Sequence, residues 1–172
     1  MRVRATSYAR PYVLAVTEYF AGPRCRIGHS GPLILMCLEG AVEVADLDQL
    51  ERCQELLSRQ FKRVSIVTVM NSGFMSINKG VGERGAQIAE RFREYTGANI
   101  IVINGKGLMA VMARTGLAAF SMLDRSGNRL KAFGNVPEAL SHLEGAMQQL
   151  GTPLSAADLS AVAAYINAKP LS

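Results

Sequence analysis

Two glycine-bearing stretches have the residue types and spacing to hold a phosphate. Gly80-Val81-Gly82-Glu83-Arg84-Gly85 matches GxGxxG literally. In a dinucleotide site the first glycine follows a strand directly, so that the pyrophosphate meets a helix N-terminus. Here Asn71 to Lys79 intervene after the apolar run Val64 to Val69, and Asn104 stands where an acid would be needed to hold the ribose. Asn104-Gly105-Lys106-Gly107 lies between an apolar run and a helical stretch, where backbone N–H groups and the Lys106 ammonium could meet an anion. The P-loop pattern GxxxxGK[ST] would require glycine at position 100 and Ser or Thr at 107, and Ile100 and Gly107 stand there. Asn104, Gly105, Lys106 and Gly107 are therefore a candidate anion-binding turn. The plainer reading is a tight strand–helix connection with a solvated lysine.

Other catalytic constellations find little support. Cys25, Cys37 and Cys53 are widely spaced, form no CxxC, and have only His29 and His142 as potential imidazole companions. Neither a zinc site nor a disulfide framework is expected, and three unpaired thiols fit a reducing cytoplasm. There is no GxSxG, no paired-carboxylate arrangement and no nucleophile–base pair at a recognisable spacing. We expect no catalytic residue and no cofactor. The methionines, among them Met70, Met75, Met109, Met112, Met122 and Met147, fall largely on core stripes and are read as core filling.

The 172-residue chain is 49% apolar and 19% charged, which fits one folded domain with short additions. Its net charge of +5 is uneven: Arg2, Arg4, Arg10, Arg24 and Arg26 face only Glu18 in the first 26 residues, leaving 14 basic and 13 acidic residues in the rest. No aromatic–basic motif accompanies those arginines, so a soluble terminus is expected and nucleic acid is not. The apolar runs fall short of the ~20 residues of a membrane span, and Val13-Leu14-Ala15-Val16 is too short for a signal-peptide core. A soluble, cytoplasmic protein is the expectation.

Periodicity supplies the elements. Val13 to Phe20 could be strand or short helix. Cys25-Arg26-Ile27 and the all-apolar Leu33 to Leu38 read as a hairpin turning at Ser30-Gly31-Pro32, the second arm covered on both faces. Asp46 reads as the N-cap of a helix over 46–60, with Leu47, Leu50, Cys53 or Gln54, Leu57 and Phe61 at helical spacing. Further helices are expected over 82–96, ending at Gly97, over 107–116, over 136–150 capped by Asn135, and after Ser155. Strands are expected at Val64–Val69 and 99–103; residues 117–133 are either a resumed helix and a strand or a hairpin. The alternation predicts an α/β fold with a mixed four- or five-stranded sheet flanked by helices. The domain would span 24–150, with a basic arm at 1–23 and a helical extension at 151–172.

Several local patterns occur in that order. They are Glu39-Gly40-Ala41-Val42 at a strand exit, Thr115-Gly116-Leu117 at a helix end, and Phe133-Gly134-Asn135-Val136-Pro137-Glu138-Ala139-Leu140. Together with the element order they resemble a STAS domain over about residues 24–150. The look is closest to divergent bacterial relatives of anti-sigma-factor antagonists. The resemblance implies a STAS-like sheet and a non-catalytic, protein-binding regulatory module. Its partner would be another protein, such as a regulatory kinase or an anti-sigma-like factor. It also places a partner-binding loop at Ser76, Asn78, Lys79, Gly80 and Val81. In the family a phosphorylatable serine precedes the glycine of that loop. Lys79 stands there in this chain, so the usual phosphorylation switch is not expected, although Ser72 and Ser76 are near. The alternatives are a small nucleotide- or anion-binding protein or enzyme using Asn104–Gly107 and Gly80–Gly85, or an apolar-ligand or lipid-binding protein. The final apolar stripe, Leu154, Leu159, Val162 and Ile166, should dock on its own domain or, alternatively, on a second copy to make a homodimer.

Overall fold

The central strand runs are apolar enough to be buried, and each helix has a capping residue and one apolar face. The computed structural model, which describes residues 15–71, 78–104 and 130–168, assembles them into three layers. The strands are β1 (Thr17–Ala21), β2 (Cys25–Ser30), β3 (Leu33–Leu38), β4 (Val64–Met70), β5 (Thr96–Ile103) and β6 (Leu130–Phe133). They form one six-stranded mixed sheet in sequence order, antiparallel from β1 to β3 and parallel from β3 to β6. The sheet thus has one strand more than the upper expectation, because Thr17–Ala21 pairs along β2.

The described helices are α1 (Val44–Ser58), α2 (Lys79–Arg91), α3 (Val136–Gln149) and α4 (Ala156–Asn167). On one face α1 and α2 bring Leu50, Cys53, Leu57 and Val81 against Ile27, Ile34, Met36, Ile66 and Met70. On the other, α3 and α4 bring Ala139, Leu143, Met147, Val162 and Ile166 against Leu35, Cys37, Val67, Val69, Ile100 and Val102. β3 and β4 are buried at every residue, as expected of parallel strands covered on both faces. No helix among the described residues is long and apolar enough to cross a membrane.

Several element ends differ from expectation. Asp46 is not the N-cap of α1: that residue is Glu43, whose N–H donates to the Asp46 carboxylate three residues on. Asp46 thus takes the acidic N3 place of a capping box, and the cap lies three residues, nearly a full turn, earlier than expected. α2 ends at Arg91, not near Gly97, because β5 already begins at Thr96. There the Val64 N–H donates to the Tyr95 carbonyl at 2.7 Å and Thr96 Oγ1 to the Phe92 carbonyl at 3.0 Å. Gly97 is therefore no helix cap but a strand residue. A Cβ there would stand 2.7 Å from both Leu150 Cδ1 and Ser65 Oγ.

Other ends agree. Asn135 Oδ1 accepts from the Glu138 N–H, and Ser155 Oγ accepts from that of Asp158. Gly151, at φ +75°, closes α3, with the Gly151 N–H on the Gln148 carbonyl and the Thr152 N–H on that of Met147. Of the ambiguous 117–133, Leu130–Phe133 is a strand parallel to β5. The expected helix at 107–116, together with Ser72, Ser76, Gly105, Lys106 and Gly107, lies outside the described residues.

The stretch read as an arm contributes β1 to the sheet, and α4 of the C-terminal stretch packs on β3 and α3.

Candidate functional site

Parallel strands place their carboxyl ends on one edge, where ligands of open α/β sheets bind. In this chain a polar residue follows each of three apolar strands: Glu39 after β3, Asn71 after β4 and Asn104 after β5. The register aligns them, since Leu38 pairs with Met70 and Met70 with Ile103. The backbone ladder extends one step past the strands, Asn71 N–H to the Leu38 carbonyl at 3.0 Å and Asn104 N–H to the Met70 carbonyl at 2.9 Å. Side chains then repeat the ladder above it. Asn104 Nδ2 donates to Asn71 Oδ1 at 2.9 Å, and Asn71 Nδ2 donates to Glu39 Oε1 at 2.8 Å. The chain of bonds ends on a carboxylate, an anion that accepts charge-assisted hydrogen bonds. Gly40, at φ +103°, turns the chain away immediately after Glu39.

Two helices begin at the same edge. Asn78 caps α2, its Oδ1 accepting from the Val81 N–H at 2.9 Å. Val81 is buried, whereas Asn78, Lys79 and Gly80 are exposed. Lys79 is the first helical residue, with a side chain 89% accessible, and among the described residues it reaches only Glu83, at 3.7 Å. A cation here opposes the helix dipole, which favours anions at the N-terminus, and the first turn holds no acid. The lysine therefore does not stabilise its own helix through that field. A Cβ on Gly80 would lie 3.9 Å from Val44 Cγ2, so the first turns of α1 and α2 nearly touch. Val44 itself is 40% exposed. On the far side of α1's start, Arg24 pairs with Glu43.

The structure brings together Asn78, Lys79, Gly80 and Val81 and sets Asn104 on the same strand-end edge. Glu39 and Asn71 are members of that edge that sequence reasoning missed. Their signal was a polar residue directly after each apolar run, but only the strand register shows that the three are neighbours. Gly80 to Gly85, in contrast, forms no strand-to-helix phosphate turn. All six residues lie within α2, with nine residues between the end of β4 and Gly80. No group of three or more potential metal ligands exists among the described residues.

The three thiols are buried on the sheet or on α1, and burial pushes Cys25 up to about 12, Cys37 to about 11 and Cys53 to about 12. They are neutral core groups at physiological pH, not nucleophiles.

No protein-family model matches the chain, and the comparison with curated proteins finds no match.

Proposed function

We propose that the chain is a non-catalytic, protein-binding regulatory module of the STAS-like kind. Its docking surface is the carboxyl edge of the sheet, and its partner is a regulatory kinase or an anti-sigma-like factor. The observation that carries this reading is Lys79, an exposed cation at a helix start where the dipole disfavours it, beside exposed Val44 and the Glu39–Asn71–Asn104 ladder. The described elements also follow the order on which the resemblance rests: hairpin, helix, strand, helix, strand, and later strand and helix. In this reading the ladder fixes the strand ends as a rigid platform, Lys79 meets an acidic group of the partner, and Val44 supplies apolar contact. A lysine in the switch position makes docking independent of phosphorylation there.

A photocrosslinking residue at position 44, compared with one at position 62 on the opposite edge, tests the reading in the organism that makes the protein. A discrete protein adduct should form from position 44 alone and weaken several-fold with Lys79→Glu. Equal labelling from both positions, or none from position 44, would reject it. Melting with ATP, repeated with Lys106→Ala, separates the anion-binding alternative at Asn104–Gly107, since a ligand held by that turn raises the melting temperature only while the turn is intact.

A further inference from the structure

At the amino edge of the sheet, away from the surface just discussed, lies a cleft of about 300 Å³. That is the lower end of the size range for small-molecule sites. Pro32, Phe61 and Leu150 line its apolar side, while Lys62, Arg63 and Thr152 bring polar groups to it. Among the described residues its lining includes two cations and no carboxylate. Lys62 is exposed and has no ion pair among the described residues. Arg63 commits one N–H to the Thr96 carbonyl at 3.1 Å, leaving most of its guanidinium donors for another acceptor. The end of α3 points its carbonyls towards this edge, a partial negative charge that the two full cations outweigh. The Ala146, Met147 and Gln148 carbonyls already accept from Leu150, Thr152 and Gly151.

The inner wall depends on a missing side chain. Ser65 and Leu150 both line the cleft, and both approach to 2.7 Å of where a Cβ on residue 97 would stand. Glycine at 97 therefore lets the apolar end of α3 settle onto the start of β5. Ser65 Oγ is held there by the Ala98 N–H at 3.1 Å.

We propose that this cleft binds a small organic anion with an apolar body, such as an aromatic phosphate or carboxylate. Lys62 and Arg63 take the anionic group, and Phe61 and Leu150 take the body. The test is titration of the isotope-labelled full chain with phenyl phosphate, inorganic phosphate and benzyl alcohol, read from amide shifts. Phenyl phosphate should shift Lys62, Arg63, Ser65, Leu150 and Thr152 saturably. Inorganic phosphate should bind more weakly, and benzyl alcohol should leave these amides unmoved. Lys62→Glu and Arg63→Gln should each weaken phenyl phosphate about tenfold, the worth of a hydrogen bond to a charged group. Lys62→Glu breaks no contact within the described residues, so its spectrum should otherwise match the parent. The proposal fails if phenyl phosphate causes no saturable shift, if benzyl alcohol shifts the same amides, if inorganic phosphate binds equally well, or if Lys62→Glu leaves the affinity unchanged.

Discussion

At the scale of single residues, the cysteines and Lys79 mark opposite uses of a reactive side chain. Each thiol is kept neutral by the loss of water around it; near Cys25 the Asp46 carboxylate adds to that effect. A native-state pKa raised above the unfolded value means that the folded form holds its proton more tightly. The stability this represents is intact below about pH 9 and is lost as pH rises toward 11–12. We therefore expect the native protein to resist thiol reagents at neutral pH, all three thiols reacting only on unfolding, and its melting temperature to fall steeply above pH 9. Thiol titration in buffer and in denaturant, with melts across that range, checks this. Rapid native labelling of any one cysteine would show that its site is open. Lys79 was legible in the sequence because it stands before a glycine at a helix start. That Lys79 is itself the first helical residue was not, because the expected helix begins three residues later, at 82.

At the scale of elements, alternation was legible because a strand repeats every two residues and a helix every 3.6, and the apolar runs follow both. Ends were less legible, since one residue type serves two positions. Asp46 could cap a helix or serve as its third residue, and Glu43 upstream decides for the second. Gly97 could close a helix or admit a neighbour into a strand, and the approach of Leu150 and Ser65 decides for the second. Gly80 to Gly85 matches a phosphate motif in spacing alone, and its place inside α2 agrees with the sequence argument against that use. That placement yields a prediction. A Cβ at Gly85 would meet nothing within 4 Å, and the backbone there is helical. Gly85→Ala should stabilise the protein by about 1 kcal/mol through helix propensity, raising the melting temperature by roughly 2–4 °C. Gly28→Ala should do the reverse, because its Cβ would meet the Tyr165 ring at 2.8 Å and Val16 at 2.9 Å. Overpacking of that kind costs about 1–3 kcal/mol. A loss at both positions would mean that the α2 backbone is not helical at Gly85.

At the scale of the whole molecule, the question is how a sheet with two wide apolar faces is closed by a chain of this length. The face beneath α3 is finished by α4, a twelve-residue helix too short to persist alone in water. Its hold is both apolar and polar. Val162 and Ile166 are almost wholly buried, which stabilises by ~1.5–3 kcal/mol each. Tyr165 lies over Gly28, the one position on that side of β2 without a side chain to block it. Arg26, itself buried, donates from Nη2 to the Tyr165 carbonyl at 3.1 Å and to the Ala168 carbonyl at 2.8 Å, with its guanidinium 4.9 Å from the Tyr165 ring centre. A cation at the carbonyl end of a helix lies where the dipole favours it. Within the chain, these contacts seat the apolar stripe of residues 154–166 on α3 and β3. Removing residues 152–172 strips the carbonyls from Arg26 and exposes Leu35 and Cys37, and should lower the melting temperature by on the order of 10 °C. Ile166→Ala, which leaves the helix in place, should cost about 2–4 kcal/mol through the cavity it creates. Neither change should alter the mass in sedimentation. A mass that halves on truncation would assign α4 to an exchange between copies, whereas unchanged melting would mean that the helix is a free tail and that Arg26 finds its partners elsewhere.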